Sequence, residues 1–214
     1  INPKQFNKKS DFNSYPKNLS NDIKKLKRLK IDYLYLPTSK DVYNFTVKNK
    51  IYSDNFSTQL CGKFRKGHFE GVLNVVNRFL EIIRPKYIFL GLKDFQQLTL
   101  IANHILKNNV NTKVIKCRTI REKNGVACST RNLNLNKDQL KIASNIYNYL
   151  SSMKIKIQKN YKSFKINNIK DDLISLGASK IDYIEMIDLK TLKKFRKSKN
   201  EFKLFVAYYI KKIN

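Results

Sequence analysis

Residues 69–117 read FEGVLNVVNRFLEIIRPKYIFLGLKDFQQLTLIANHILKNNVNTKVIKC, and this stretch decides the fold. Phe69, Val72, Leu73, Val76, Phe79, Leu80 and Ile83 recur at i, i+3, i+4 and i+7 spacing. That spacing puts them on one face of a helix over 69–84. Pro85 stops it. Tyr87-Ile88-Phe89-Leu90 is an apolar run bounded by Gly91, the pattern of a buried parallel strand. Asp94 opens a second helix to about Lys107, with Leu98, Ile101, Ala102 and Ile105 on one face, and Lys113 to Cys117 supplies a further strand. This alternation with right-handed crossovers predicts an open parallel sheet covered by helices. Ligands of such sheets bind at the carboxyl ends of the strands.

Upstream, Asn21 to Lys30 reads as a basic helix, Tyr33-Leu34-Tyr35-Leu36 as a strand before Pro37, and Val42 to Val47 as another short strand. Downstream of about residue 120 the pattern changes. Asn136 begins a helix through Met153, a second helix runs near Ile169 to Leu176, and Gly177 stands where a C-cap belongs. Lys180 to Ile187 and Phe202 to Ile210 read as strands. This is a smaller α+β unit, with the boundary near 119–135.

The 214 residues carry 44 basic and 16 acidic side chains, a net charge of +28. Such charge fits a nucleic-acid or anionic-membrane binder through counterion release. It also fits drift toward Lys, Asn and Ile that leaves a solvated basic surface. Drift is favoured, because only eight of the basic residues are Arg and the Lys residues run along the whole chain, denser only at Lys24 to Lys30 and Lys190 to Lys199. No run of apolar residues is long enough to span a membrane, and Ile1-Asn2-Pro3-Lys4-Gln5-Phe6 does not read as a signal or transit peptide. Cys61, Cys117 and Cys128 form neither a disulfide framework nor a CxxC pair and read as small buried hydrophobes. His68 and His104 make no metal cluster with them.

Three local features carry chemistry. Gly91-Leu92-Lys93-Asp94-Phe95-Gln96-Gln97 sits at a strand-to-helix turn. There Gly91 allows close backbone approach and the first free amides of the helix point at an anion. Lys93 adds a point charge for a triphosphate, Asp94 an acceptor for a ribose hydroxyl, and Gln97 lies one turn on. The plainer reading has Asp94 capping the helix and Lys93 solvated. In Arg121 to Asn132, Asn124-Gly125 signals a hairpin turn. Ser129, Thr130 and Arg131 follow it as a clamp for phosphate oxygens, or as a polar loop with an exposed Arg. Arg65-Lys66-Gly67-His68-Phe69 places a histidine at a helix start, where a capping or packing role is favoured over a phosphate contact.

These segments resemble, in order and over nearly the whole chain, the pantothenate synthetase (pantoate–β-alanine ligase) family. Asn2-Pro3-Lys4-Gln5-Phe6 looks like its NPxQF segment, and Asp11 to Lys17 like its D…YP[RK] segment. CGKFRKGHFEGVLNVVNRFLEIIRPKYIFLGLKDFQQL, from Cys61 to Leu98, is similar to its central block. REKNGVACSTRN resembles its R…DGLA.SSRN loop, and Ile181-Asp182-Tyr183-Ile184-Glu185 its VDYLE strand. The resemblance implies an α/β fold: a Rossmann-like parallel sheet of the nucleotidyltransferase, class I synthetase type, with a smaller α+β C-terminal domain. Residues 1–119 would form the ATP- and pantoate-binding domain and 120–214 a lid. Gln5 and Gln97 would hold pantoate, with Gln5 also near the β-alanine site and Asn2 beside it. Gly91, Leu92, Lys93 and Asp94 would contact ATP, Ile120 would meet adenine through its backbone, and Cys128, Ser129, Thr130 and Arg131 would close over the phosphates.

The same resemblance implies a cytoplasmic homodimer, Mg2+ with the ATP, and a place in pantothenate and coenzyme A synthesis. It implies small-molecule substrates and no specific nucleic-acid or membrane partner. In the implied chemistry, pantoate attacks the α-phosphorus of ATP to give pantoyl adenylate and pyrophosphate, and β-alanine then displaces AMP. Lys93 and Arg131 are the expected catalytic cations. The alternatives are an adenylyltransferase of the same fold acting on another substrate, and a basic nucleic-acid-binding module. Leu92 stands where the family usually has Glu, and Thr130 replaces a usual Ser. The family's first strand and HxGH motif, normally upstream of Asn2, and its LIDN continuation past Ile210 are not in the sequence. The chain is therefore expected to be a fragment that binds ATP poorly and turns over slowly.

Overall fold

The computed structural model describes residues 6, 12–13, 15–44, 49–159, 166–195, 201–211 and 213, so Asn2, Gln5 and most of the 42–47 segment's second half lie outside the described residues. Helix α1 (Leu19–Arg28) is the expected basic helix, capped by the Asn18 side chain. At Val42 and Tyr43 the chain is in helix α2 (Ser39–Tyr43) and not in the strand expected over 42–47, whose residues 45–47 lie outside the described residues. Thr38 and Asp41 form a reciprocal capping box, in which Asp41 Oδ2 accepts from the Thr38 amide at 2.6 Å and Thr38 Oγ1 from the Asp41 amide at 3.3 Å. That box fixes a helical start and turns Val42 into the core. The run at Tyr33 to Leu36 is likewise no strand: Tyr33 is 92 % exposed and the run joins no ladder among the described residues. A β-prone run becomes a strand only when a neighbouring edge takes up its amides and carbonyls.

The decisive stretch folds as read. Short α3 (Leu60–Phe64) leads through Gly67, in the left-handed region at φ 77°, to α4 (His68–Ile83). Arg84 ends α4 in a left-handed C-cap before Pro85. Strand β1 (Tyr87–Gly91) pairs in parallel with β2 (Lys113–Cys117), Tyr87 against Lys113 through Gly91 against Cys117, and α5 (Phe95–Lys107) crosses between them. The chain is a mixed α/β fold with a parallel sheet, as expected. One expectation about β1 fails: it is not buried on both faces, since Phe89 is 68 % and Tyr87 44 % exposed. Only Ile88 and Leu90, on the other face, pack against the core.

Helix α6 (Lys137–Lys159), helix α7 (Ile166–Ser175) and the antiparallel pair β3 (Lys180–Asp188) and β4 (Phe202–Tyr209) follow. Gly177, at φ 107°, accommodates the C-terminal turn of α7, with the Ala178 amide on the Leu173 carbonyl at 2.9 Å. Phe56, Leu60, Phe69, Leu73, Leu80, Leu100 and Ile101 form the core around α4 and α5, and Ile187 of β3 belongs to it. A second core gathers Ile146, Ile169, Leu173 and Ile184. Each such side chain contributes about 1.5–3 kcal/mol on burial.

A polar network crosses the first core. His104 is fully buried, and its Nδ1 lies 3.1 Å from the Tyr52 amide, which can only donate. The ring therefore carries its hydrogen on Nε2 and donates to Asn77 Oδ1 at 2.9 Å, and Asn77 Nδ2 donates to Glu81 at 3.0 Å. A second ring proton would face the Tyr52 N–H. Burial pushes the imidazole below its ordinary value of 6.5, against the pull of Glu81. The unfolded chain thus takes up the proton first. The stability supplied by the neutral ring is complete above pH 6.5 and is lost as pH falls toward the folded pKa. Urea unfolding of the wild type is expected to lose up to about 1.4 kcal/mol per pH unit below that point, and His104→Gln to flatten this dependence. An unchanged slope would contradict the neutral-ring assignment.

Candidate active site

The turn after β1 is open at Gly91. Gly91 has ordinary extended backbone, φ −74° and ψ 133°, and a Cβ there would meet nothing within 4 Å. Neither conformation nor packing requires glycine, so what the missing side chain provides is open approach to the backbone. Leu92–Asp94 form one 3-10 turn into α5. Leu92 is half-buried, while Lys93 and Asp94 are exposed. Asp94 occupies the N-cap position, but its carboxylate does not cap the helix, so the plain capping reading fails.

Lys93 reaches across to the second loop: its Nζ donates to the Cys128 carbonyl at 3.3 Å. That loop is the predicted hairpin. Arg121 bridges Ala127 in antiparallel fashion, the Gly125 amide donates to the Glu122 carbonyl at 2.8 Å, and the Cys128 amide donates to the Ile120 carbonyl at 3.0 Å. Ile120 is 70 % exposed beside it. Helix α6 holds the turn from below. Ser144 Oγ donates to the Asn124 carbonyl at 2.7 Å, and the Arg121 guanidinium stacks 4.1 Å from the Tyr147 ring centre. Gly125 sits at φ 83°, and a Cβ there would run into the Tyr147 ring.

Past the hairpin, Ser129 Oγ caps the next turn by accepting from the Arg131 amide at 3.3 Å, and Thr130–Asn134 coil into a 3-10 turn. Thr130 Oγ1 donates to Tyr15 Oη at 2.7 Å, and the Arg131 guanidinium lies 5.2 Å from the Tyr15 ring centre. Phe6, the residue after Gln5, packs edge-on against the same ring at 5.6 Å. The Cys128 thiol is exposed, contrary to the buried reading, while Cys61 and Cys117 are half-buried. Cys128 Sγ donates to Glu122 Oε1 at 3.3 Å. That hydrogen bond, then burial, pushes the thiol up and keeps it protonated, so it is no nucleophile.

The two glutamines at the start of α5 differ. Gln96 is buried. Its Nε2 donates to the carbonyls of Phe56 at 2.6 Å and Gln59 at 2.7 Å, and its Oε1 accepts from the Cys61 amide at 3.1 Å. It is committed to holding residues 56–61. Gln97 is half-buried and about 100° further round the helix. The β3–β4 hairpin rests on the same end of α5, with the Phe205 ring 5.3 Å from Phe95 and the Tyr183 hydroxyl 2.9 Å from Cys61 Sγ. His68 begins α4 with its ring edge-on to Phe69 at 4.9 Å, in keeping with packing. Among the described residues, no three His, Cys, Asp or Glu side chains gather as a metal site.

Lys93, Cys128, Thr130 and Arg131 are therefore brought to two touching loops, while Asn2 and Gln5 lie outside the described residues. Residues 1–214 match the family model described as Pantoate-beta-alanine ligase. The chain belongs to the pantoate–β-alanine ligase family. It is similar to the pantothenate synthetase of Flavobacterium psychrophilum, 34% identical over 217 residues covering 100% of this chain and 77% of that one. Among solved structures it resembles the pantoate–β-alanine ligase of Francisella tularensis complexed with beta-gamma ATP and β-alanine. The TM-score there is 0.78 at 34% identity, over 100% of this chain and 74% of the other. Pantothenate synthetase from Thermus thermophilus gives a TM-score of 0.86 at 25% identity, over 98% and 77%.

Sequence reasoning missed Tyr15, Gln96 and Tyr147. The D…YP[RK] segment contains Tyr15, but nothing local says that it meets residue 130. Gly125→Ala is expected to loosen the ligase hairpin and speed tryptic cleavage after Arg121 and Lys123, with Gly91→Ala cut at the wild-type rate. Equal rates for all three proteins would contradict the role given to Tyr147.

Proposed function

We propose that Lys93 and Arg131 grip the phosphates of one ATP while Gln97, with Gln5 and Asn2, holds the organic acid beside it. The reaction is the family's: ATP-dependent condensation of pantoate with β-alanine. A pantoate carboxylate oxygen bonds to the α-phosphorus as the bond to pyrophosphate breaks. The β-alanine nitrogen then bonds to the acyl carbon, and AMP leaves with the electron pair of the broken C–O bond. No protein nucleophile is needed, so this chain's task is positioning and charge neutralisation. The bridge from Lys93 to the Cys128 carbonyl carries this reading. It sets the ammonium at the rim shared by the turn and the Ser-Thr-Arg loop, where a bound phosphate would take the carbonyl's place.

In this reading Asp94 accepts from the ribose, Gly91 and Leu92 face the nucleotide through their backbone, and the exposed edge at Ile120 meets adenine. Cys128, Ser129 and Thr130 offer amides and hydroxyls to phosphate oxygens. A Leu at 92 costs nothing if the contact there is through the backbone. Mg2+ enters with its substrate, on the phosphates, since such ions keep most of their waters and few protein ligands. Residues 1–119 form the ATP and pantoate side and 120–214 the cover, and the protein is a cytoplasmic homodimer.

The test is AMP formation by the intact protein with ATP, pantoate and β-alanine, each omitted in turn. AMP that requires both organic substrates supports the reading. AMP without pantoate would point to another adenylyltransferase. A hydrogen bond to a charged group is worth about 1.5–3 kcal/mol, so Gln97→Ala is expected to raise the KM for pantoate roughly 10- to 100-fold and leave ATP affinity nearly unchanged. Gly91→Ala is expected to do the reverse, weakening ATP in a protein of normal stability. Equal loss of both ligands in Gln97→Ala would sink that assignment.

A further inference from the structure

Tyr15 touches two residues of the proposed phosphate loop. Its hydroxyl accepts from Thr130 Oγ1 at 2.7 Å across 115 residues of sequence. The face of its ring lies under the Arg131 guanidinium at 5.2 Å. The ring also makes a T-shaped contact with Phe6 at 5.6 Å, and Phe6 makes another with Phe12 at 5.4 Å. Lys17 Nζ stands 4.0 Å over the Phe12 ring and completes this small aromatic unit. One side chain thus holds two consecutive residues of the phosphate loop and the residue next to Gln5.

We propose that Tyr15 is a positioning residue that presets Thr130 and Arg131 for the ATP phosphates and couples them to Phe6, the sequence neighbour of Gln5. The proposal rests on the phosphate roles given to Thr130 and Arg131 above. A cation over an aromatic ring is held by the ring's quadrupole and not by a hydrogen bond, so the Tyr15 ring positions Arg131 without itself taking up an N–H. Two hydrogen-bonded hydroxyls use one of their two hydrogens, so the Tyr15–Thr130 pair retains one O–H to turn toward a phosphate oxygen. Fixing these side chains before the ligand arrives removes part of the ordering cost of binding, worth about 2- to 12-fold in affinity per side chain. The arm then reports to the loop: displacing Phe6 from the ring moves the support of Arg131.

A double-mutant cycle on the intact protein tests this, with ATP affinity read by calorimetry and pantoate KM by AMP formation. Tyr15→Phe keeps the ring and loses the hydroxyl; Thr130→Val loses the partner. Each is expected to weaken ATP roughly 3- to 10-fold, with the double variant no worse than either single and Thr130→Ser binding like the wild type. Tyr15→Phe should leave the pantoate KM unchanged. Tyr15→Ala, which also removes the ring from Phe6, should raise it along with further loss of ATP affinity. Losses that multiply in the double variant, or wild-type ATP affinity in Tyr15→Phe, overturn the proposal. Wild-type protein that binds ATP with this coupling yet forms no pantoate-dependent AMP supports the role of Tyr15 and removes the reaction assignment alone. Failure of the wild type to bind ATP removes both.

Discussion

In the proposed site, one ammonium contact joins the two loops directly. Lys93 Nζ, 3.3 Å from the Cys128 carbonyl, joins a strand-to-helix turn to a hairpin loop that begins about thirty residues later in sequence. The joint is made where each loop is also anchored from elsewhere. Gln96 anchors the turn through three hydrogen bonds to residues 56–61, and Tyr147 with Ser144 supports the hairpin from α6. A charge-assisted bond to a lone carbonyl is easily exchanged for a stronger one to a phosphate. The same contact that closes the loops is therefore the one a nucleotide would replace.

The surrounding electrostatics suit anionic substrates. At +28 the chain carries far more positive charge than its acids neutralise. Lys203, half-buried against the Phe95 ring, has its ammonium pushed down by burial and by Lys154 and Lys116 nearby. A field of this sign raises the local concentration of polyphosphates and carboxylates without selecting among them. In the proposed site, selection would fall to the shaped parts: open backbone at Gly91, a glutamine pair of which one is committed to structure, and an arginine placed over a tyrosine ring. Within the core the opposite rule applies. His104 is kept neutral, because a second ring proton would have no acceptor.

Most of the fold was legible because its signals are local. The 3.6-residue spacing from Phe69 to Ile83, the stop at Pro85 and the apolar run at Tyr87 to Leu90 each name an element from a few neighbours. The failures came where a partner decides. Tyr33 to Leu36 has strand composition but joins no ladder among the described residues, and Thr38 with Asp41 overrides a β-prone Val42 through two reciprocal hydrogen bonds. Phe89 reads as core and is exposed, because burial of a sheet face depends on what lies over it. In the site, the turn at Gly91 and the Ser-Thr-Arg loop stand out by residue type. The contact between them does not, nor the division of labour between Gln96 and Gln97, nor the meeting of Tyr15 with Thr130. Those are products of packing between segments far apart in the chain.

The most direct measurement is a crystal structure of the intact protein with a non-hydrolysable ATP analogue and pantoate. The account requires phosphate oxygens within hydrogen-bond distance of both Lys93 Nζ and the Arg131 guanidinium, with the Lys93–Cys128 contact replaced and the pantoate carboxylate beside Gln97. A nucleotide bound elsewhere, or bound here with Lys93 still on the Cys128 carbonyl and Arg131 turned away, would contradict it.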